Sequence, residues 1–378
     1  MNTSSRLNQF FFSIICAGAP AVIAVSTAFA FGALVVGGTG QNPIAVYGSL
    51  LSGSLVGWPN FAVTLQSTTP LIFTGLAVAV AFRSGIWNIG VEGQMLIGGL
   101  AAGVVGYAVP IPTPLHIPVC IIVAMAAGAL WALIPAFLRI YLGVNELVVC
   151  LMLNPVAALA TSYVSARVLK EPGPTNKLPD ILASAHLANF TPYSQLNSAI
   201  FIAAVSCLLL AIMNRRTIYG FHLKIIGLNP RFASYGGINV RRNLMTAMLL
   251  SGSLGGLAGA EQILGVYGAF YDNFSPGYGF DGVAVAMLAN SQPLGILASA
   301  LLFGALNSGS SVLQMELGVS KYLVLVLQFT IVLILSVQFS WRWLKKAPQK
   351  GEAELTQIPQ DKGLSTPVTP DSQGSVTP

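Results

Sequence analysis

Three stretches of this 378-residue chain place carboxylate and amide side chains within long apolar runs. The first reads FRSGIWNIGVEGQMLIGG (residues 82–99) and carries Asn88, Glu92 and Gln94 among glycines. A carboxylate in apolar surroundings must be paired, protonated or hydrated, so it commonly marks the path of a polar solute or an ion. Glu92 therefore has two open interpretations, a group on a translocation path or a structural group in the first turns of a helix.

Helical geometry separates the polar groups of this first stretch. In a helix that begins near Asn88, Asn88 and Glu92 share a face, whereas Glu92 and Gln94 lie about 200° apart around the axis. Only one of these faces can line a path, and the glycines allow close packing against a neighbouring helix. We expect Asn88 and Glu92 to act as a pair, with Asn88 as a helix N-cap the structural alternative.

The second stretch, GVNELVVCLMLNP (143–155), begins a helix after a turn. Asn145 as the N-cap and Glu146 in the first turn give a complete structural account of that start. Asn154 comes about 13 Å further along the helix and must find a partner in the bundle or in a cavity.

The third stretch, GYGFDGVAVAMLANSQPLG (277–295), has Asp281 at the start of a short apolar element and Asn290 at its end. Asp281 either caps that element or faces the path. Solvation near the outer membrane surface explains Glu261. The candidate residues of a substrate path are Asn88, Glu92, Gln94, Asn145, Glu146, Asn154, Asp281 and Asn290.

Several other chemistries lack the residues that they need. The sequence has no G-x-x-x-x-G-K-[ST] motif for ATP hydrolysis and no nucleophile elbow for hydrolytic catalysis. The three histidines are far apart and the four cysteines fall in apolar segments, so we expect no metal site and no cofactor. The net charge of +6 comes from scattered residues, which argues against nucleic-acid binding.

The elements that position these residues are membrane helices. Hydrophobic residues make up 54% of the chain, charged residues 8%, and the mean hydropathy is +0.73, whereas soluble proteins carry about 25% charged residues. The apolar runs predict an all-α polytopic membrane protein with about ten crossings. These are 10–37, 61–82, 89–109, 115–138, 146–168, 196–213, 243–265, 280–290, 293–314 and 321–340. Segment 280–290 is too short for an ordinary crossing and is expected to be broken or re-entrant.

Positive charge sets the expected topology. With the N-terminus inside, 14 lysines and arginines are cytoplasmic and four are external (Arg167, Lys170, Lys177 and Lys321), as the positive-inside rule requires. Both termini are then cytoplasmic, with an external loop at 169–197 and a basic cytoplasmic loop at 214–242. A transmembrane domain covers residues 1–344, and the polar tail 345–378 is expected to be disordered. Ala28-Phe29-Ala30 imitates a signal-peptide cleavage site, but the long apolar run favours a retained first span.

Four blocks carry a resemblance to a known family. GLAVAVAFRSGIWNIGVEGQMLIGG, GVNELVVCLMLNPVA, IIGLNPRFASYGGINV and GFDGVAVAMLANSQPLG occur in that order between about Thr64 and Gly309. They resemble the permease subunits of bacterial ABC importers for nucleosides, in a group that also serves simple sugars and branched-chain amino acids. The first two blocks are most similar to the larger of the two permeases in nucleoside systems.

The resemblance implies an architecture and a set of partners. It implies a permease domain of about ten helices in the lipid of the bacterial inner membrane, which passes a small-molecule substrate. A separate cytoplasmic ABC ATPase, a second permease in a heterodimer and an external solute-binding lipoprotein would complete the importer. By the same resemblance, the segment that couples to the ATPase contains Gly227, Asn229, Pro230, Arg231, Tyr235 and Gly236. Asn229-Pro230 can start a short helix there.

Two departures and one rival interpretation leave the cargo open. The chain has Ala289-Asn290-Ser291-Gln292-Pro293 where related sequences often place a basic residue before the proline, and Trp87 where a smaller aromatic residue is common. The cargo could therefore be a sugar or an amino acid. The rival interpretation is an ion-coupled secondary transporter with Glu92 and Asp281 as ion sites.

Overall fold

The computed structural model describes residues 22–38, 40–318 and 322–345, and most of these residues are helical. The helices are α1 (Val22–Gly38), α2 (Pro43–Leu55), α3 (Trp58–Arg83), α4 (Val91–Ala108), α5 (Thr113–Leu142), α6 (Glu146–Tyr163), α7 (Ala199–Arg216), α8 (Ile218–Leu228), α9 (Pro230–Tyr235), α10 (Val240–Glu261), α11 (Tyr278–Leu288), α12 (Pro293–Leu317) and α13 (Tyr322–Lys345). Short π-helical turns continue α6 (Val164–Val168) and α10 (Gln262–Tyr267). The strands are β1 (Asn189–Thr191) and β2 (Ser194–Asn197).

Six helices in the described part of the chain are long and apolar enough to cross a membrane. They are α3, α4, α5, α7, α12 and the continuous run Glu146–Val168. Each agrees with a predicted span to within four residues at either end. The prediction of a multi-pass helical membrane protein is therefore confirmed, whereas ten crossings and the sides of the two termini stay predictions.

Helix α3 lies at the centre of the bundle, and every residue from 68 to 81 is buried. Helices α10, α11 and α12 all pack against it. Thr64 donates a hydrogen bond to the Ser54 carbonyl oxygen of α2, whereas Thr68, Thr69 and Thr74 donate to carbonyl oxygens of α3 itself. The latter three side chains satisfy themselves locally and leave the helix surface apolar.

Helix α5 presents small residues to the bundle and large residues to its surroundings. Its buried positions recur every four residues, at His116, Cys120, Ala124, Gly128, Ala132 and Ala136. The other side of the helix exposes large apolar side chains such as Ile122, Leu130 and Phe137. Exposed apolar surface on a spanning helix suits contact with lipid or with a second membrane subunit.

Helix α10 packs closely between α4 and α5. Gly252 and Gly256 face α5, and Gly255 and Gly259 face α4. A Cβ atom at Gly256 would lie against the carbonyl oxygen of Ala124. The two glycine stripes therefore allow α10 to approach both neighbours at backbone distance, which is the usual role of small residues spaced four apart in membrane helices.

The segment 169–197, predicted as a loop, lies between the π-helical turn after α6 and the start of α7. This loop contains the antiparallel hairpin of β1 and β2. It also pairs with the segment that follows α10, since the Leu178 N–H donates to the Phe270 carbonyl and the Leu187 N–H to the Leu264 carbonyl, both at 2.9 Å. The loop is an ordered part of the fold because its backbone groups find partners in a neighbouring segment.

The short element predicted at 280–290 is α11, and it is broken from α12 as expected. Its 11 residues span about 16 Å, roughly half of the hydrocarbon core. The helix follows Gly277, and it ends in a turn where Asn290 and Ser291 have φ angles of 50° and 54°. Pro293 then begins α12.

The basic loop 214–242 contains two short helices, α8 and α9. Asn229 caps α9 as predicted, because its Oδ1 atom accepts a hydrogen bond from the Phe232 N–H at 3.0 Å. Pro230 is the first residue of α9, where its missing N–H costs nothing.

Some predictions lie wholly or partly outside the described residues. The first half of the span 10–37 does so, as do Arg6, Cys16, Lys321 and the tail from residue 346 onward. One compact unit of the chain ends at Leu335, and the described part of the second unit is the end of α13. The domain boundary at 344/345 stays a prediction.

The close approach of α10 predicts an asymmetry between two glycine substitutions. Gly256→Ala should destabilise the folded subunit by about 1–3 kcal/mol, because the added methyl group overpacks the contact with α5. Gly48→Ala is the matched control, since Gly48 lies in α2 and a Cβ atom there would meet nothing within 4 Å. Thermal unfolding in detergent gives the midpoint of each variant. Equal midpoints for Gly256→Ala and Gly48→Ala would contradict the proposed close packing of α10.

Candidate functional site

Asn88 and Gln94 form a closed hydrogen-bond network in the core. Asn88 Nδ2 donates to Gln94 Oε1 at 3.0 Å and to Ser251 Oγ at 2.7 Å, and Gln94 Nε2 donates to Asn88 Oδ1 at 3.1 Å. Ser251 Oγ in turn donates to the Ala77 carbonyl oxygen at 2.6 Å. All three side chains are fully buried. The network joins α3, α4 and α10.

This network corrects two expectations about Asn88. Helix α4 begins at Val91 after the N-cap Gly90, so Asn88 lies before the helix and does not cap it through its side chain. Because residues 86–89 are not helical, helical spacing does not relate Asn88 to Glu92. Asn88 is paired with Gln94. The predicted divergence of Glu92 and Gln94 is confirmed, since Glu92 contacts α11 instead.

Asn154 of α6 holds the start of α4 from the other side. Its Oδ1 atom accepts from the Gly93 N–H at 3.0 Å, and its Nδ2 atom donates to the Ile89 carbonyl at 3.0 Å. Asn154 thus finds its partner within the bundle, as expected of an amide this deep in a helix.

Glu92 binds the N-terminus of α11. Its Oε2 atom accepts a hydrogen bond from the Gly279 N–H at 2.7 Å, and the side chain is only 8% exposed. The first turn of a helix has free N–H groups and a partial positive charge, which suit a carboxylate. Gly279 is required because a Cβ atom there would collide with the backbone of Glu92.

Asp281 lies in the first turn of α11, two residues after Gly279. It is not the N-cap, which is Gly277. Asp281 Oδ2 accepts from Asn307 Nδ2 at 3.2 Å, and Asn307 Oδ1 accepts from Gln328 Nε2 at 2.8 Å. This polar chain connects α11, α12 and α13, and Gln328 Oε1 at its end has no hydrogen-bond partner among the described residues.

The expectation of a solvated Glu261 is wrong. Glu261 is 2% exposed, and its carboxylate accepts from Asn197 Nδ2 at 3.2 Å and from Gln262 Nε2 at 2.7 Å. The loop 169–197 supplies Asn197 and covers the carboxylate. The signal in the sequence was the glycine run of α10, which indicates close backbone packing directly before Glu261.

The remaining candidates lie apart from these groups. Asn145 caps α6 as expected, accepting from the Leu147 N–H at 2.9 Å. Glu146 forms an ion pair with Arg139 at 3.2 Å. Asn290 is exposed in the turn after α11. The structural account of Asn145 and Glu146 is thus sufficient.

The predicted coupling segment is exposed and contacts the base of α3. Tyr235 is 90% exposed at the end of α9, whereas Gly227 lies at the end of α8 against the Arg83 carbonyl oxygen. Gly85, with a φ angle of +83°, approaches Gly227 so closely that a Cβ atom at Gly85 would lie 3.3 Å from the Gly227 Cα. The turn that leads from α3 to Asn88 is therefore in direct contact with the coupling segment.

Metal chemistry has no support in the described residues. Across 22–38, 40–318 and 322–345, no group of three or more His, Cys, Asp or Glu side chains is placed to hold a metal ion.

Comparisons with known proteins agree on one family. The family profile described as branched-chain amino acid transport system / permease component matches residues 60–336. The guanosine ABC transporter permease protein NupP of Bacillus subtilis is 36% identical over 87% of this chain and 96% of its own length. The nucleoside ABC transporter permease protein NupB of Lactococcus lactis is 34% identical over 84% and 90%. The glucose ABC transporter permease protein TsgB13 of Haloferax volcanii is 30% identical over 83% and 86%. No solved structure matches the chain.

The core network predicts a stability loss when Asn88 is truncated. Asn88→Ala should destabilise the subunit by about 1–3 kcal/mol, because the buried Gln94 amide and the Gly90 N–H lose their partners. Asn176→Ala is the control, as Asn176 is exposed in the loop 169–197. Unfolding midpoints of the two purified variants test this, and an Asn88→Ala subunit as stable as Asn176→Ala would refute a structural role for the network.

Proposed function

Because the chain belongs to the family of permease components of branched-chain amino acid transport systems, we propose that it is the membrane-spanning permease subunit of an ATP-binding-cassette importer for nucleosides. The observation that carries the proposal is near full-length similarity to two permeases named for guanosine and for nucleosides. The chain is a transport subunit and not an enzyme. ATP is hydrolysed by a separate chain, consistent with a sequence that has no P-loop motif.

The partners follow from this role. A cytoplasmic ABC ATPase supplies energy, and a second permease completes a heterodimer in the bacterial inner membrane. An external solute-binding lipoprotein delivers the cargo to this heterodimer. The exposed apolar faces of α5 and α6 provide surface for the second permease as well as for lipid.

Glu92 and Asp281 are the strongest candidates for contact with the cargo. A nucleoside is uncharged and offers ribose O–H and base N–H donors, which a carboxylate accepts well. Glu92 contacts the start of the broken helix α11 and Asp281 lies in its first turn, where irregular backbone is tolerated only beside protein or a polar cavity. Asn88, Gln94 and Asn154 are fully engaged inside the bundle, so we assign them to the scaffold of this site.

Coupling proceeds from α9 through α8 to the turn after α3. A displacement of α9 by the ATPase moves Gly227, and the contact of Gly227 with Arg83 and Gly85 passes that movement to the start of α4. Alternating access then results from rigid-body movement of packed helices around α11.

A sugar is the second candidate cargo. One relative with 30% identity is named for glucose, and sugar hydroxyls are also donors to carboxylates. Competition between cargoes separates the two candidates.

Deletion of this subunit should abolish uptake of radiolabelled guanosine by intact cells while nucleoside metabolism in lysates continues. In cells with the subunit, excess unlabelled uridine should compete with guanosine uptake and excess glucose should not. The nucleoside assignment would be contradicted if guanosine uptake persisted after the deletion or if excess glucose inhibited it.

The coupling role predicts a separation of ATP hydrolysis from transport. In the reconstituted importer, replacing Asn229 and Arg231 together with Ala should reduce stimulation of the ATPase by the loaded binding protein to the basal rate, because α9 loses its cap and its charge. Lys224→Ala removes a charge from the same loop outside α9 and should leave stimulation intact. Normal stimulation in the double variant would exclude α9 as the docking element.

A further inference from the structure

A groove of about 400 Å³ opens on the loop 214–242 beside the coupling segment. Tyr219 and His222 of α8 line one side of it, and Asn239, Arg242 and Thr246 line the other. None of these residues belongs to α9. The groove is therefore a surface distinct from the helix proposed to dock into the ATPase.

Hydrogen bonds fix the shape of the groove. The hydroxyl groups of Tyr219 and Thr246 are 3.0 Å apart and bridge α8 to α10. Asn239 Oδ1 accepts from the Arg242 backbone N–H at 3.0 Å, and the Asn239 carbonyl accepts from Asn243 Nδ2 at 2.8 Å. These bonds hold the walls while leaving the guanidinium of Arg242 available to a partner.

The charge around the groove is not balanced by ion pairs among the described residues. Residues 214–242 contain six arginines and lysines and no aspartate or glutamate. In the part of the chain that the structure describes, none of these six side chains forms an ion pair. The neighbouring Arg241 has a different environment, since its guanidinium lies 5.9 Å from the centroid of the Tyr141 ring.

We infer that this groove receives an acidic side chain of the cytoplasmic ATPase, which pairs with Arg242. The inference rests on the proposed function, which supplies the ATPase as a partner at this face. An arginine can bind a carboxylate through two parallel hydrogen bonds, and the imidazole of His222 and the hydroxyl groups of Tyr219 and Thr246 are further polar neighbours for it. The groove thus adds a charge-selective contact to the docking of α9.

Adjacent arginines provide a matched test. The purified permease pair in detergent is titrated with the purified ATPase, with Arg242→Gln and Arg241→Gln compared in otherwise identical complexes. Arg242→Gln should weaken binding by at least about tenfold, because a desolvated charge pair is lost. Arg241→Gln removes the same charge outside the groove and should stay within about threefold of the unchanged protein. Thermal unfolding of each variant shows whether the fold is retained.

Three results would overturn the inference. Equal weakening by both variants would assign the effect to net charge, and unchanged binding by Arg242→Gln would leave the groove without this role. If Arg242→Gln lost binding to vesicles of anionic lipid but kept its affinity for the ATPase, Arg242 would be assigned to lipid headgroups. A different result would contradict the proposed function itself, namely that the unchanged permease pair does not bind the ATPase at all.

Discussion

Polar groups inside this helical bundle must find their partners within the protein, because lipid and packed apolar side chains offer none. This constraint organises the whole core. Asn88, Gln94 and Ser251 close one network among α3, α4 and α10, and Glu92 closes another with the first turn of α11. Each network fixes the position of a helix that could otherwise slide along its neighbours, since apolar packing alone specifies position poorly. The glycines of α10 serve the same end, as they bring the backbones close enough for these short side chains to reach across.

The sequence predicts the long helices of this protein well because their length and hydropathy are local properties. It also predicts the cap at Asn229, since an asparagine before a proline specifies a helix start within four residues. The predictions fail where distant segments decide the outcome. Glu261 looks solvated along the chain but is covered by Asn197 from a separate loop. In the sequence Asp281 resembles a helix N-cap, but the N-cap of α11 is Gly277, one turn earlier.

The partition of the polar candidates between scaffold and site also depends on long-range contacts. From spacing alone, Asn88 and Glu92 share a face, but the backbone before Gly90 is not helical and the argument from spacing does not apply there. The structure instead pairs Asn88 with Gln94 and leaves Glu92 to α11. An amide can satisfy a network in which donors and acceptors alternate, whereas a carboxylate accepts only. At the start of α4 the amides therefore bind Ser251 of α10, whereas the carboxylate binds the first turn of α11.

The bond between Glu92 and α11 bears directly on the proposed transport. If α11 moves during alternating access, the Glu92 carboxylate loses the Gly279 N–H, and an unpaired buried acceptor costs about 1–3 kcal/mol or more when charged. A cargo rich in O–H and N–H donors can replace that N–H at the moment the helix moves. Such an exchange lowers the free energy of the opened state only when the cargo is present. On this argument the carboxylate links cargo binding to movement of the broken helix, and an apolar cargo of the same size cannot take its place.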